Sequence, residues 1–157
     1  MKWMKLTAVP AFLLLTVFML NSCVKDADEN KVVQYQKTGI VLSAAQEIPA
    51  NTSTALGTLD VTYRKDTKLL TYKATWTGLT GPVAAMHIHG QAPTGFAAGV
   101  FQGFTVTGLL ASGTYSGSLL IDGVAIKEEN LLNGLYYWNI HTATYGGGEI
   151  RGQIRFQ

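Results

Sequence analysis

One cysteine, Cys23, stands in 157 residues, so no intrachain disulfide can brace the fold. Charge is scarce as well, at 14% of the composition. No cluster of Lys and Arg forms a surface that could follow a phosphate backbone, which argues against nucleic acid as a partner. Catalytic signatures are missing too. There is no GxSxG elbow for an activated serine and no glycine-rich phosphate loop. No acid/base pair stands out beyond Glu128 and Glu129, which fall on an expected solvated turn. A long helical period and an internal repeat are both absent, which excludes helical bundles and solenoids.

What is present begins with the N-terminus. Met1–Lys5 carries two lysines ahead of Leu6–Leu20, an uncharged and mostly apolar run. That is the form of a signal-peptide core, too short for a comfortable membrane span. It ends in Leu20-Asn21-Ser22-Cys23, an aliphatic residue, a small residue and then cysteine, as in a bacterial lipobox. The expectation is a lipoprotein signal over residues 1–22, lipidation at Cys23, a charged tether over residues 23–31, and one β domain over residues 32–157. Acyl chains on Cys23 would bury about 0.8 kcal/mol per CH₂ in a bilayer, ample for anchoring. Without Lys2 and Lys5 the chain is formally neutral. The expected location is the cell envelope, at the outer membrane. The acidic residues after Cys23 leave open either surface display or an ordinary solvated linker.

The remainder alternates. Leu59, Val61 and Tyr63 share one face of a strand within Ala55–Arg64; Leu70, Tyr72, Ala74 and Trp76 share one face of the next. The polar turn Lys65-Asp66-Thr67 joins them as a hairpin. Further strands are expected at Val32–Ser43, Val83–Gly90, Val100–Thr107 and Ser112–Asp122, with loops at Ala44–Thr54 and Gln91–Gly99. Lys127–Asn133 is the one credible helical turn, closed by Gly134 as a C-cap. About seven or more short strands with turns between them predict an all-β, antiparallel sandwich or barrel. Immunoglobulin-like and superoxide-dismutase-like forms both fit.

Gly134–Phe156 reads as the central hairpin. Tyr136, Trp138 and Ile140 form an apolar face opposite Tyr137, Asn139 and His141, while Ile150, Ile154 and Phe156 alternate with Glu149, Arg151, Gln153 and Arg155. Matching the apolar faces sets Thr142 opposite Ile150, Ile140 opposite Gly152 and Trp138 opposite Ile154. This leaves Thr144–Gly148 as a five-residue, glycine-rich loop and puts His141 opposite Arg151 on the outer face. Upstream, His87 and His89 lie two apart on a strand and so on one face, about 6.5–7 Å apart. If the strands are neighbours, His141 joins them.

The segments VAAMHIHG, GLYYWNIHT and GEIRGQI, preceded by LSAAQEIP, resemble in order and spacing the CHRD domain, the module named after the extracellular protein chordin. The resemblance runs from about Val41 to Gln153. It departs at Met86, Gln91 and Gly146, where alanine, proline and proline are common, and the polar residues are intact. It implies an extracellular all-β module and brings no established reaction with it.

Three readings of the polar residues follow. In the first, His87, His89 and His141 converge on copper or zinc, which take neutral imidazole nitrogen. An HxH strand with a distant third histidine resembles the copper half of copper/zinc superoxide dismutases, but no bridging histidine, zinc-site aspartate or fourth ligand is apparent. In the second, the histidines hydrogen-bond backbone groups, and Glu47, Asn139, Glu149 and Arg151 form a structural network in which Arg151 pairs with Glu47 or Glu149. In the third, Phe96, Phe101 and Tyr145 help present a surface to an extracellular protein or carbohydrate. The reading favoured is a non-enzymatic binding or structural module with no cofactor; the alternative is a small copper- or zinc-binding protein.

Overall fold

Alternation of apolar and polar side chains lays out most of the chain as strands, because a pleated strand sends successive residues to opposite faces. The computed structural model describes residues 33–157; the expected signal sequence, Cys23, the whole tether over residues 23–31 and residue 32 lie outside the described residues. Eight strands follow in order: β1 (Gln34–Ser43), β2 (Leu56–Arg64), β3 (Leu69–Thr77), β4 (Val83–Gly90), β5 (Val100–Gly103), β6 (Gly113–Leu120), β7 (Tyr136–Thr142) and β8 (Ile150–Gln153). A 3₁₀ turn at Ala44–Gln46 and a single short helix, α1 (Glu128–Leu132), complete the described elements. No described helix is long and apolar enough to cross a membrane.

The strands make one antiparallel sheet in the order β5-β4-β7-β8-β1-β2-β3-β6. Tyr72 of β3 and Trp138 of β7 are four strand steps apart, about 19 Å in a flat sheet at ~4.8 Å per step. Their ring centroids are nevertheless 5.1 Å apart. The sheet therefore curls until its two halves face each other over a shared core. Phe104, just past β5, fills the space between them, 4.6 Å from Trp138 and 5.2 Å from Tyr72. This aromatic cluster, with Leu59, Tyr63, Met86, Ile88, Ile140 and Ile150 fully buried around it, is the apolar centre of the fold.

The β2–β3 hairpin pairs in one unbroken register from Leu56↔Thr77 to Arg64↔Leu69. Its expected inward residues are all buried. Gly134 closes α1 with φ +69° and donates its N–H to the Leu131 carbonyl at 3.1 Å, as a helix C-cap requires. Elsewhere the strand bounds contract. The strand expected through Thr107 stops at Gly103; the Phe104 N–H still donates to the Met86 carbonyl at 3.0 Å, flanking the His87–Gly103 pair, and its ring then enters the core.

The central hairpin keeps the expected faces and shifts its register by two residues. Ile140 pairs with Ile150, Asn139 with Arg151, Trp138 with Gly152 and Tyr137 with Gln153. Arg151 is thus opposite Asn139, not His141. The cause is a turn closed by side chains. Thr142 donates its hydroxyl to Glu149 Oε2 at 2.6 Å and accepts the Tyr145 N–H at 3.3 Å, and His141 Nδ1 lies 3.0 Å from the Gly146 carbonyl. His141 and Thr142 run beyond β8 and pair with Ala85 and Val83 of β4 instead.

Candidate functional site

All seven residues of β7 are buried, on both faces. One face belongs to the aromatic core. The other carries Tyr137, Asn139 and His141, flanked by His87 and His89 of β4 and by Arg151 and Gln153 of β8. Registers align these as two cross-strand rows, His87–Asn139–Arg151 and His89–Tyr137–Gln153. Expected to face outward, these side chains are covered by loops and spend their polar atoms on loop backbone. Arg151 Nη2 donates to the Phe96 carbonyl at 2.9 Å, and Gln153 Nε2 to the carbonyls of Ala92 and Gly134 at 2.9 and 2.7 Å. The Tyr137 hydroxyl donates to the Ala98 carbonyl and accepts the Ala98 N–H, both at 3.2 Å. A buried polar group without a partner costs about 1–3 kcal/mol, so this arrangement holds the 91–99 loop in one place.

The structure brings the three histidines together. One ring nitrogen from each lies within 4.8 Å of the others, and the His87 and His141 centroids are 4.8 Å apart. Burial pushes all three below the usual imidazole range, for His87 with help from the neighbouring His141 and His89 rings. Each therefore favours the neutral form more than a free imidazole does. A neutral imidazole has one N–H and one lone pair, and a carbonyl neighbour decides which nitrogen is which. His89 Nδ1 faces the Ala98 carbonyl at 3.0 Å and His141 Nδ1 faces that of Gly146 at 3.0 Å. His89 is thus protonated on Nδ1 and its Nε2 presents a lone pair, whereas His141 faces an oxygen acceptor from each nitrogen, the Gly146 carbonyl at Nδ1 and Asn139 Oδ1 at Nε2, so either can carry its proton. His141 Nε2 lies 3.0 Å from His87 Nδ1 and 3.0 Å from Asn139 Oδ1. His89 Nε2 is buried with no hydrogen-bond partner among the described residues.

Arg151 and the carboxylates are arranged otherwise than expected. Arg151 is 2% exposed, yet no carboxylate of the described residues forms an ion pair with it. Its guanidinium carbon sits 3.4 Å from the centroid of the Tyr137 ring, an attraction of cation for aromatic face that is strengthened by exclusion of water. Glu149 is fully buried in a separate group, accepting hydrogen bonds from Thr142, Ser53 Oγ and both the N–H and hydroxyl of Thr80. Burial works against its charge, but these donors hold its carboxyl below the usual range. Glu47 is buried with Oε1 unpartnered. Burial lifts its pKa to about 7, with the Arg151 charge only partly opposing. It rests against Gly148, whose φ of +125° suits glycine and where any Cβ would collide with the carboxylate.

Sequence reasoning passed over Gln153 and Tyr137 as site residues, although both share the alternation that marks His141 and Arg151. Thr80 and Ser53, the partners of Glu149, lie in loops where no periodicity points to them. Of the three aromatic residues expected at a binding surface, Phe96 is 64% exposed, at the tip of the loop that Arg151 holds. Tyr145 is half-buried beside the 290 Å³ cleft between the 47–51 and 144–148 turns. Phe101 is on β5, edge-on to Tyr136 at 5.6 Å, at the end of the sheet. The model of the CHRD domain matches residues 38–154. No curated protein and no solved structure matches the chain.

Proposed function

The chain belongs to the CHRD-domain family, and on that premise we propose that it is a non-enzymatic binding or structural module, tethered to the cell envelope by lipid on Cys23 and engaging an extracellular protein or carbohydrate. One observation carries this reading: the polar side chains of β7 and β8 are spent on loop carbonyls rather than left free for chemistry. Rigidly seated loops lower the entropy cost of recognition, since less has to be ordered on binding. The cleft between the 47–51 and 144–148 turns sets the Tyr145 ring and hydroxyl beside the backbone of the two turns. That combination suits sugars and peptide segments alike.

The test uses the purified full chain against an array of glycans and envelope-derived peptides, alongside a Phe96→Ala, Tyr145→Ala double variant. Selective binding that falls at least tenfold in a variant of unchanged melting temperature supports the reading. Binding equal in both proteins, or turnover of an array compound, overturns it. For the anchor, Cys23→Ala is expected to move the protein from the membrane fraction to the soluble one.

A further inference from the structure

We infer that His87, His89 and His141 form a binding site for a divalent first-row transition metal that prefers imidazole, zinc or copper. The inference stands apart from the partner proposed above, because it concerns the floor beneath the loops and not their tips.

Three features of the geometry support it. The rings come from two neighbouring strands of one sheet, so their separations are held by backbone pairing: Ala85↔His141, His87↔Asn139 and His89↔Tyr137. Such a scaffold keeps donor atoms in place more firmly than a loop does. Next, backbone carbonyls stand where the non-ligating ring N–H would point. Metal-ligating histidines commonly donate the other ring N–H to a backbone carbonyl, which orients the ring and leaves its lone pair free. His89 does this toward Ala98, and His141 has the Gly146 carbonyl at Nδ1 to hold its proton there when Nε2 takes a metal. Finally, a network that existed only to hold the sheet together would leave no lone pair stranded. His141 Nε2 finds a donor if His87 carries its proton on Nδ1. His89 Nε2, in a residue 8% exposed, has no hydrogen-bond partner among the described residues. A cation among the three nitrogens would accept that lone pair.

The spacing is close to what is needed. Metal–nitrogen bonds of about 2.0–2.1 Å at tetrahedral angles put neighbouring nitrogens roughly 3.3 Å apart. His87 Nδ1 and His141 Nε2 stand at 3.0 Å, and the widest separation in the set is 4.8 Å. Modest ring rotations cover the difference. His87 is only partly buried, which marks the side from which an ion and a fourth, solvent ligand would enter. The Arg151 charge opposes a cation here, and Glu47, close to Arg151 and partly ionised near pH 7, offsets it in part. Three neutral nitrogens and no thiolate or carboxylate in the set favour zinc or copper over magnesium or calcium.

The full chain, stripped with a chelator, is titrated with zinc chloride and separately with copper(II) sulfate in competition with a chromophoric chelator. Bound metal is counted by elemental analysis. The expected result is one equivalent per chain, with nitrogen hyperfine structure in the copper(II) resonance. His87→Ala and His89→Ala are each expected to weaken binding at least about tenfold. Metal is expected to raise the melting temperature of the wild type and leave the variants' unmoved. His87→Ala keeps the test open if His89→Ala fails to fold, because His87 holds no loop carbonyl. Failure to bind a stoichiometric amount of either ion, or affinity unchanged in His87→Ala, overturns the inference.

Discussion

On one face of the β7–β8 hairpin Trp138 packs on Phe104 and Tyr72 beside Ile140 and Ile150; on the other, Tyr137, Asn139, His141, Arg151 and Gln153 are buried almost as deeply. The two faces lose water by different physics. Apolar burial is non-directional and contributes roughly 25 cal/mol per Å², so the first face stabilises whatever register lets its rings meet. Hydrogen bonds contribute only about 1 kcal/mol net, yet an unmade one costs about 1–3 kcal/mol. The second face therefore adds less to stability and more to specificity. It decides where the 91–99 and 144–148 loops rest, and loop placement is what a recognition surface needs.

The sharpest way to test the contrast is to remove the largest ring. Trp138→Ala is expected to lose about 3–5 kcal/mol, read by urea unfolding, with protection from hydrogen exchange falling across the whole sheet. A loss under about 1 kcal/mol would mean that the aromatic cluster does not hold the curled sheet closed. Arg151→Met should act differently. It frees the Phe96 carbonyl but also removes a buried charge that has no carboxylate partner, so a net loss of about 1–2 kcal/mol is expected. Faster exchange should concentrate in residues 91–99. A global loss as large as that of Trp138→Ala would erase the distinction between the faces.

The contrast also shows in pH dependence. The Glu47 pKa of about 7 is raised from 4.5, so the folded state binds a proton more tightly than the unfolded one. Its contribution to stability is fully present below about pH 4.5 and is lost as pH rises toward 7, with a slope of at most ~1.4 kcal/mol per unit. The buried histidines pull the other way, because burial lowers their affinity for protons. Subtracting the stability curve of Glu47→Gln from that of the wild type removes their share. The difference is expected to decline from pH 4.5 to 7; a flat or rising difference would contradict the burial of an unpaired carboxylate.

The contrast also sorts what was legible. Tyr136, Trp138 and Ile140 against Tyr137, Asn139 and His141 could be read directly, as could the inward residues of β2 and β3, since alternation is a local property of neighbouring residues. The same holds for Gly134 as a C-cap, and for the convergence of His87 and His89 with His141 once their strands are neighbours. The separate home of Glu149 was not readable, because Ser53 and Thr80 are distant in the chain and lie outside any period.

The sequence by itself thus determined the all-β class, the faces of each strand and the family, because these depend on residue types at fixed short spacings. Tertiary structure alone decided the two-residue shift of the hairpin, set by Thr142 and His141 reaching into their own turn. It alone buried the polar face and gave Arg151 an aromatic ring and a carbonyl in place of a carboxylate. The physical reason is that alternation separates polar from apolar without saying which of them meets water, and only the path of the loops settles that.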